Sequence, residues 1–333
     1  MSVPSVRRVI KLPFPVDIGY NSVLMTIPYG SDYIVVAYNG IYRVGSNGTT
    51  QLFPVSGIGD YSSIYFAKYM YPYKLLFAFS TSVYLYGLGI LDLNTLQIQY
   101  KTFNLQPPEG SYYCLVPISD TEVILYAYNY AYYVSSDGTM NKLPITFNNA
   151  PITTITKYII TWDFDQYWYL RYTLYELDYK SGTLIKLMDI PKGLYVVNAT
   201  SACTITPSTG PQFCDQSAAF TLIDNNGQQY LLYYNIDTSS FDIMPLGVTE
   251  ANNLYITPPF RHFKYQNIFV VNKYIIDVKA KRVYDMFDLI NKQWPLDAND
   301  VAEDYTISVV QNPDSLQVAF LAKQSPPQQQ PPT

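Results

Sequence analysis

The chain has 333 residues, 48% hydrophobic and only 14% charged, with a net charge of −5 from 21 basic and 26 acidic side chains. That length allows one large all-β domain or two or three ordinary ones, and that hydrophobicity excludes a disordered chain. The short basic spots exclude the electrostatic footprint of a nucleic-acid binder, and no apolar run reaches the ~18 residues a membrane-spanning helix needs.

The N-terminal stretch MSVPSVRRVIKLPFPVDIG lacks the apolar core of a secretion signal, so no signal peptide is expected. Next comes the apolar segment SVLMTIPY, then DYIVVAYNGIYRVGSNGTTQLFPV over Asp32–Val55. The latter aligns without a gap on EVILYAYNYAYYVSSDGTMNKLPI, Glu122–Ile145, at an offset of 90, with ten of 24 positions identical. Tyr38/Tyr128, Tyr42/Tyr132, Gly48/Gly138 and Pro54/Pro144 are among the identities. Two units of about half that offset are implied, a spacing typical of four-stranded repeats.

The intermediate unit starts at Lys74 and turns at Asn94-Thr95. Later units start at Tyr158, Ala218 and Asn267, with turns near Ser181-Gly182, Thr238-Ser239 and Lys279-Ala280. Turns near 47, 94, 137, 181, 238 and 279 leave spacings of 47, 43, 44, 57 and 41. Each unit reads as alternating strands joined by Asn, Asp, Ser and Gly, which is the hairpin signal. An apolar segment upstream, such as SIYFAKYMY, SYYCLVPI or NLYITPPF, supplies a fourth strand. Asp288–Glu303 is the least strand-like part and reads as a loop or short helix.

The last unit, YTISVVQNPDSLQVAFLAK, lacks its final strand. RRVIKLPFPV at the N-terminus resembles the final strands NKLPI and TQLFPV and is placed to supply it. The expectation is an all-β fold: a closed β-propeller of seven four-stranded blades, the last completed by the N-terminal strand. A misparsed unit would make six or eight. Residues 1–323 form one domain in this reading, and the Pro/Gln-rich tail 324–333 is disordered.

The side chains offer few sites. The single histidine, His262, has no second histidine to complete a metal site or dyad, so neither metal nor cofactor is expected. Cys203 and Cys214 bracket a loop and are either two free thiols or a disulfide; Asn47 and Asn198 head glycosylation sequons. DNNGQ at Asp224–Gln228 lacks the later acidic ligands of a calcium loop and reads as a hairpin turn. In TWDFDQYWY, Asp163 and Asp165 read as sharing one strand face between Trp162 and Trp168. That constellation suits a sugar, with carboxylates for hydrogen bonding or hydrolysis, or else it is a hairpin whose aromatics pack between blades. Tyr126, Tyr130 and Tyr133 replace Val36, Gly40 and Arg43 of the aligned unit, which marks them as peculiar to their blade and as binding candidates.

The unit signature Tyr-x-x-Asp/Ser-x-x-x-Gly-Thr plus a short apolar strand, as in YELDYKSGTLIKL, is similar to the last two strands of kelch-like and quinoprotein-like propeller repeats. The paired glycines of kelch repeats and the tryptophan docking motif of quinoproteins are absent, so no cofactor is carried over. Tyrosines number 35, about one residue in ten. Their hydroxyls keep hydrogen bonding in acid, where carboxylates protonate, though high β-propensity explains them equally. This Tyr-rich, charge-poor style resembles virion proteins of viruses that infect acidophilic hyperthermophilic archaea. The resemblance implies a non-enzymatic interaction protein of a virion or extracellular acidic setting, presenting loops to a protein partner or a cell-surface glycan. A carbohydrate-processing enzyme using Asp163 or Asp165 and a cellular surface-layer protein are the alternatives.

Overall fold

Short runs of β-branched and aromatic residues, cut by turn formers, leave strand as the only regular structure with enough local support. The computed structural model describes residues 6–14, 23–29, 32–37, 39–45, 49–53, 61–70, 74–81, 86–103, 113–119, 121–127, 130–147, 153–155, 157–196, 204–205, 219–249, 260–261, 267–271, 274–285, 288, 306–312 and 315–323. Strand β1 (Val6–Phe14) opens the chain. β2 (Val23–Tyr29), β3 (Asp32–Ala37), β4 (Gly40–Val44) and β5 (Thr50–Leu52) follow as an antiparallel sheet in that order. The next sheet is β6 (Tyr61–Met70), β7 (Lys74–Thr81), β8 (Tyr86–Asp92) and β9 (Gln97–Phe103). Then come β10 (Tyr113–Pro117), β11 (Val123–Ala127), β12 (Tyr130–Val134) and β13 (Met140–Thr146).

β14 (Thr153–Ile155), β15 (Tyr158–Phe164), β16 (Leu170–Asp178) and β17 (Thr183–Asp189) form another meander. β18 (Leu194–Val196) belongs to the following sheet, whereas β19 (Thr204–Ile205) returns to pair with β14 in parallel. β20 (Ala219–Asp224), β21 (Gln228–Asn235) and β22 (Ser240–Thr249) complete the sheet begun by β18. β23 (Phe260–Arg261), β24 (Ile268–Val271), β25 (Tyr274–Asp277) and β26 (Arg282–Asp285) form one more. β27 (Thr306–Asn312) and β28 (Ser315–Lys323) pair as a hairpin, and β1 adds to β28.

The turns fall where the repeats put them, in the links β4–β5, β8–β9, β12–β13, β16–β17, β21–β22 and β25–β26. The N-terminal strand does lie beside β28, with Val9 opposite Val318 and Leu12 opposite Leu321. Its pairing is parallel; no hairpin ties the two strands, so either orientation is open to them. Four strands per sheet is the common case, but β1, β27 and β28 make three, and β19 raises its sheet to five. Of Asp288–Glu303, read as a loop or short helix, only Asp288 is among the described residues. The tail 324–333 and the candidates Cys203, Cys214, Asn47, Asn198 and His262 lie outside the described residues.

The chain divides into two compact units, Met1–Pro54 with Tyr284–Thr333, and Val55–Val283. Within the first, β2 lies against β27 and β28. Within the second, each sheet packs face to face on the next. Leu76, Leu88 and Phe103 of one sheet bury against Val123, Leu125 and Tyr132. Ile124, Tyr126 and Leu143 then meet Ile159 and Leu177. Tyr158, Ile160 and Leu174 meet Phe220, Leu222 and Leu232, and Ala219, Leu231 and Tyr233 meet Phe269, Tyr274 and Ile276. A sheet sandwiched this way buries both faces of its second strand, as in β20, where Phe220 and Leu222 face one neighbouring sheet and Ala219 the other; in KLLFAFST likewise only Lys74 is exposed. Fourth strands are half exposed and alternate, as in β9 and β13. Each fully buried Phe, such as Phe77, Phe79 or Phe269, contributes about 2 kcal/mol from apolar burial. The arrangement is that of a propeller-like fold.

Aromatic rings also fill space left by glycine. Phe77 and Phe79 on β7 stand opposite Gly89 and Gly87 on β8. A methyl group at Gly89 would meet the Phe77 ring at 2.0 Å, and one at Gly87 would meet Phe79 at 2.7 Å. Tyr100 closes the row with edge contacts at 6.4 and 5.6 Å.

Candidate functional site

β15 and β16 join through the turn Asp165–Tyr169, and most of the exposed aromatic surface among the described residues lies at this tip. Trp168 is 81% exposed, Tyr167 69%, Tyr169 55% and Phe164, at the end of β15, 45%. The turn is firmly built. The Asp165 amide donates to the Tyr169 carbonyl at 2.9 Å, and the Trp168 amide donates to the Asp165 carbonyl at 2.9 Å. The Asp165 carboxylate accepts the amides of Tyr167 at 2.8 Å and Tyr169 at 2.9 Å. Those amides, Tyr169's foremost, hold the carboxyl below the usual carboxylate range.

The following sheet builds the same turn at the same place. Between β20 and β21, Asp224 accepts the amides of Asn226 at 2.8 Å and Gln228 at 2.9 Å, and the Gly227 amide donates to the Asp224 carbonyl. Gly227 has φ +79°, the left-handed conformation this turn requires, and Trp168 stands in the equivalent place at φ +63°. Asp-Asn-Asn-Gly-Gln is chemistry chosen for a turn. Asp-Gln-Tyr-Trp-Tyr holds the same turn with a large side chain in a conformation that disfavours it; Leu96, Ser239 and Lys281 are also left-handed in their turns, so what sets this one apart is its run of exposed aromatics.

The two faces of the hairpin differ. Trp162 and Phe164 share the face turned toward β20 and β21, with their rings 5.6 Å apart and nearly perpendicular, and Trp168 lies 6.0 Å beyond Phe164. Trp162 is half buried and packs on the core below. The other face carries Asp163, opposite Arg171 in register and 3.7 Å from its guanidinium. Lys192 lies over the Tyr169 ring at 3.8 Å.

Trp162, Asp163, Asp165 and Trp168 are thus brought to one tip, but not as the sequence pattern suggested. Asp165 is past the end of β15 and caps the turn, so the two aspartates are not neighbours on one strand face. Tyr167, Tyr169 and Phe164 belong to the exposed cluster and were passed over. The missing Gly or Asn in a five-residue turn was the signal that would have found them.

The other three tyrosines do not form a surface. Tyr126, at 3% exposure, is a core residue, because Val36, which it replaces, is itself buried between sheets. Tyr130 and Tyr133 point to opposite faces of β12: Tyr130 joins the packing with Leu76 and Leu88, and Tyr133 the packing with Ile159 and Leu177. The Lys142 ammonium lies over the Tyr130 ring at 3.6 Å. Tyr133 donates to Glu122 and stacks on Tyr179 at 5.6 Å. Its phenol is pushed up to about 12, chiefly by the hydrogen bond to Glu122. The aligned pair in the first repeat is Arg43 and Asp32, an ion pair at 2.6 Å. Tyr133 and Glu122 therefore reproduce one repeat contact with different chemistry.

A separate cleft of about 460 Å³ lies beside the β21–β22 and β25–β26 turns, lined by Tyr233, Asn235, Asp242 and Lys281 among others. Within it Asn235 donates to Asp242 at 2.7 Å, and Lys279 pairs with Asp237 at 3.7 Å. Among the described residues no group of three or more His, Cys, Asp or Glu could hold a metal ion. No helix of the described residues is long and apolar enough to cross a membrane.

No family model matches the sequence, and no curated protein matches it. Among solved structures, the tricorn protease is similar over 86% of this chain and 31% of its own, at 11% identity and a TM-score of 0.40. The β-propeller domain of the Trilobed protease from Pyrococcus furiosus is similar over 79% and 80%, at 10% identity and 0.42. Apo AztD from Citrobacter koseri is similar over 79% and 72%, at 11% identity and 0.43. The chain spans less than a third of the tricorn protease. With scores of this size the assignment of the fold rests on the sheets themselves.

Proposed function

We propose that this protein is a non-enzymatic interaction protein: a closed propeller of seven blades that presents the β15–β16 tip to a protein or glycan partner. The observation that carries the reading is the pair of matched turns, one built from Asn and Gly and the other from Tyr, Trp and Tyr. A rigid turn that displays aromatics at a conformational cost serves contact with something outside the chain. The Tyr-rich, charge-poor composition supports a virion or extracellular setting in acid. Asp165 does not suit a general acid, since the backbone amides stabilise its ionised form.

Retention on purified virus particles or on host cell envelopes tests this. A variant carrying Tyr167→Ser, Trp168→Gly and Tyr169→Ser, with an unchanged circular dichroism spectrum, is expected to lose the retention that the unaltered chain shows. Equal retention of the two would overturn the role of the tip. Oligosaccharide hydrolysis that disappears in Asp163→Asn would overturn the non-enzymatic reading.

A further inference from the structure

We infer that the ligand of the β15–β16 tip is a neutral saccharide, an inference that rests on the interaction reading above. The tip offers apolar ring faces, fixed in place, with hydrogen-bonding groups at their edges. Phe164 and Trp168 supply the faces; Tyr167, Tyr169 and the exposed Gln166 supply hydroxyl and amide edges. A pyranose has the complementary form, with C–H faces that lie on aromatic rings and hydroxyls around the rim. The display is pre-organised, because the turn is pinned at four hydrogen bonds and Trp and Tyr have few rotors to immobilise.

Size and charge decide against the other partners. At ~200 Å² per aromatic side chain, the four exposed rings present about 500 Å², against the ~800 Å² each partner buries in a standard protein interface. A saccharide of one to three units fits that area. The charged groups at the tip are already engaged: Asp163 with Arg171, Asp165 with two backbone amides, and Lys192 over the Tyr169 ring. Asp163 and Asp165 balance Arg171 and Lys192, both of which act on the Asp165 carboxyl, so among the described residues the tip carries no net positive charge to favour a phosphate or sulfate, which argues against nucleic acid, anionic lipid and sulfated glycan alike.

The test uses the full chain on immobilised neutral gluco-, manno- and galacto-configured oligosaccharides, with sulfated oligosaccharides and phosphatidylcholine vesicles as separate arms. Retention by at least one neutral sugar is expected, weakened tenfold or more by Trp168→Gly and by Tyr169→Ser. The same free sugar should displace the chain from particles or envelopes. Retention only on sulfated sugars or only on vesicles would overturn the inference, as would sugar binding that Trp168→Gly leaves unchanged. If no neutral sugar is retained at millimolar concentration while envelope retention still depends on the tip, the saccharide inference fails and the interaction reading stands. If neither depends on the tip, both fail.

Discussion

Asp165 and Asp224 make the same hydrogen bonds, so the residues between each aspartate and its partner strand can be compared at one backbone geometry. A left-handed non-glycine residue costs about 1 kcal/mol. Trp168→Gly is therefore expected to stabilise the fold by up to about 1 kcal/mol in chemical denaturation while weakening binding tenfold or more; a destabilised variant would mean that the Phe164 contact outweighs the strain. Tyr126 and Tyr133 separate two other roles. The Tyr126 hydroxyl is buried with no hydrogen-bond partner among the described residues, and burial pushes its phenol up. Tyr126→Phe should be neutral or stabilising, whereas Tyr133→Phe, which loses the bond to Glu122, should cost about 1 kcal/mol. The reverse order of melting temperatures would refute this. Asp137 links residue chemistry to acid. The Ser135 hydroxyl and the Thr139 amide lower its carboxyl to about 2. The folded value lies below the unfolded one, so its contribution is complete above pH ~4. It is lost as the pH falls through about 2. Asp137→Asn should thus melt lower than the unaltered chain at pH 5, and the gap should close toward pH 2.

Strands are recognisable in this sequence where burial is one-sided or two-sided in a regular way. β7 reads as a continuous apolar run because both faces are covered, and β9 alternates because one is not. The turns β8–β9 and β16–β17 were readable because each needs specific chemistry. Asp92 accepts the amides of Asn94 and Thr95, and Asp178 those of Lys180 and Ser181. What local pattern did not carry was the pairing across strands. Gly87 and Gly89 look like strand breakers in isolation, yet they are required opposite Phe79 and Phe77. Gly89→Ala should cost about 2 kcal/mol, since the ring has to move. Combining it with Phe77→Leu should restore part of the loss; purely additive costs in a double-mutant cycle would show that the two do not interact. The tip of β15–β16 was half readable for a related reason. Its composition marked it as unusual, but only the built turn shows that Asp165 serves the backbone while Tyr167, Trp168 and Tyr169 face solvent.

At the scale of the whole molecule, the chain brings its two ends together in one sheet: β1 lies along β28 over Val6–Phe14. Deleting residues 1–14 would leave β28 as a free edge with unpaired amides and carbonyls, and free edges recruit other chains. The truncated protein should melt at lower temperature and associate in a concentration-dependent way, as read by light scattering. An unchanged melting temperature and a monodisperse sample would show that the β1 pairing carries little.

By itself the sequence determined the all-β class, the repeat spacing, the turn positions and the strand beside Leu316–Ala322. Each depends on a local or periodic property: alternation of apolar residues, the backbone demands of a turn, or the similarity of one segment to another. The tertiary structure alone decided which aromatics are core and which are surface. Tyr126, Tyr130 and Tyr133 look alike in sequence, and so do Trp162 and Trp168. Their exposure depends on whether a second sheet covers the position, and that sheet comes from a distant part of the chain. It also decided that a tryptophan occupies the place where the neighbouring sheet has glycine, which requires two turns to be seen as the same shape.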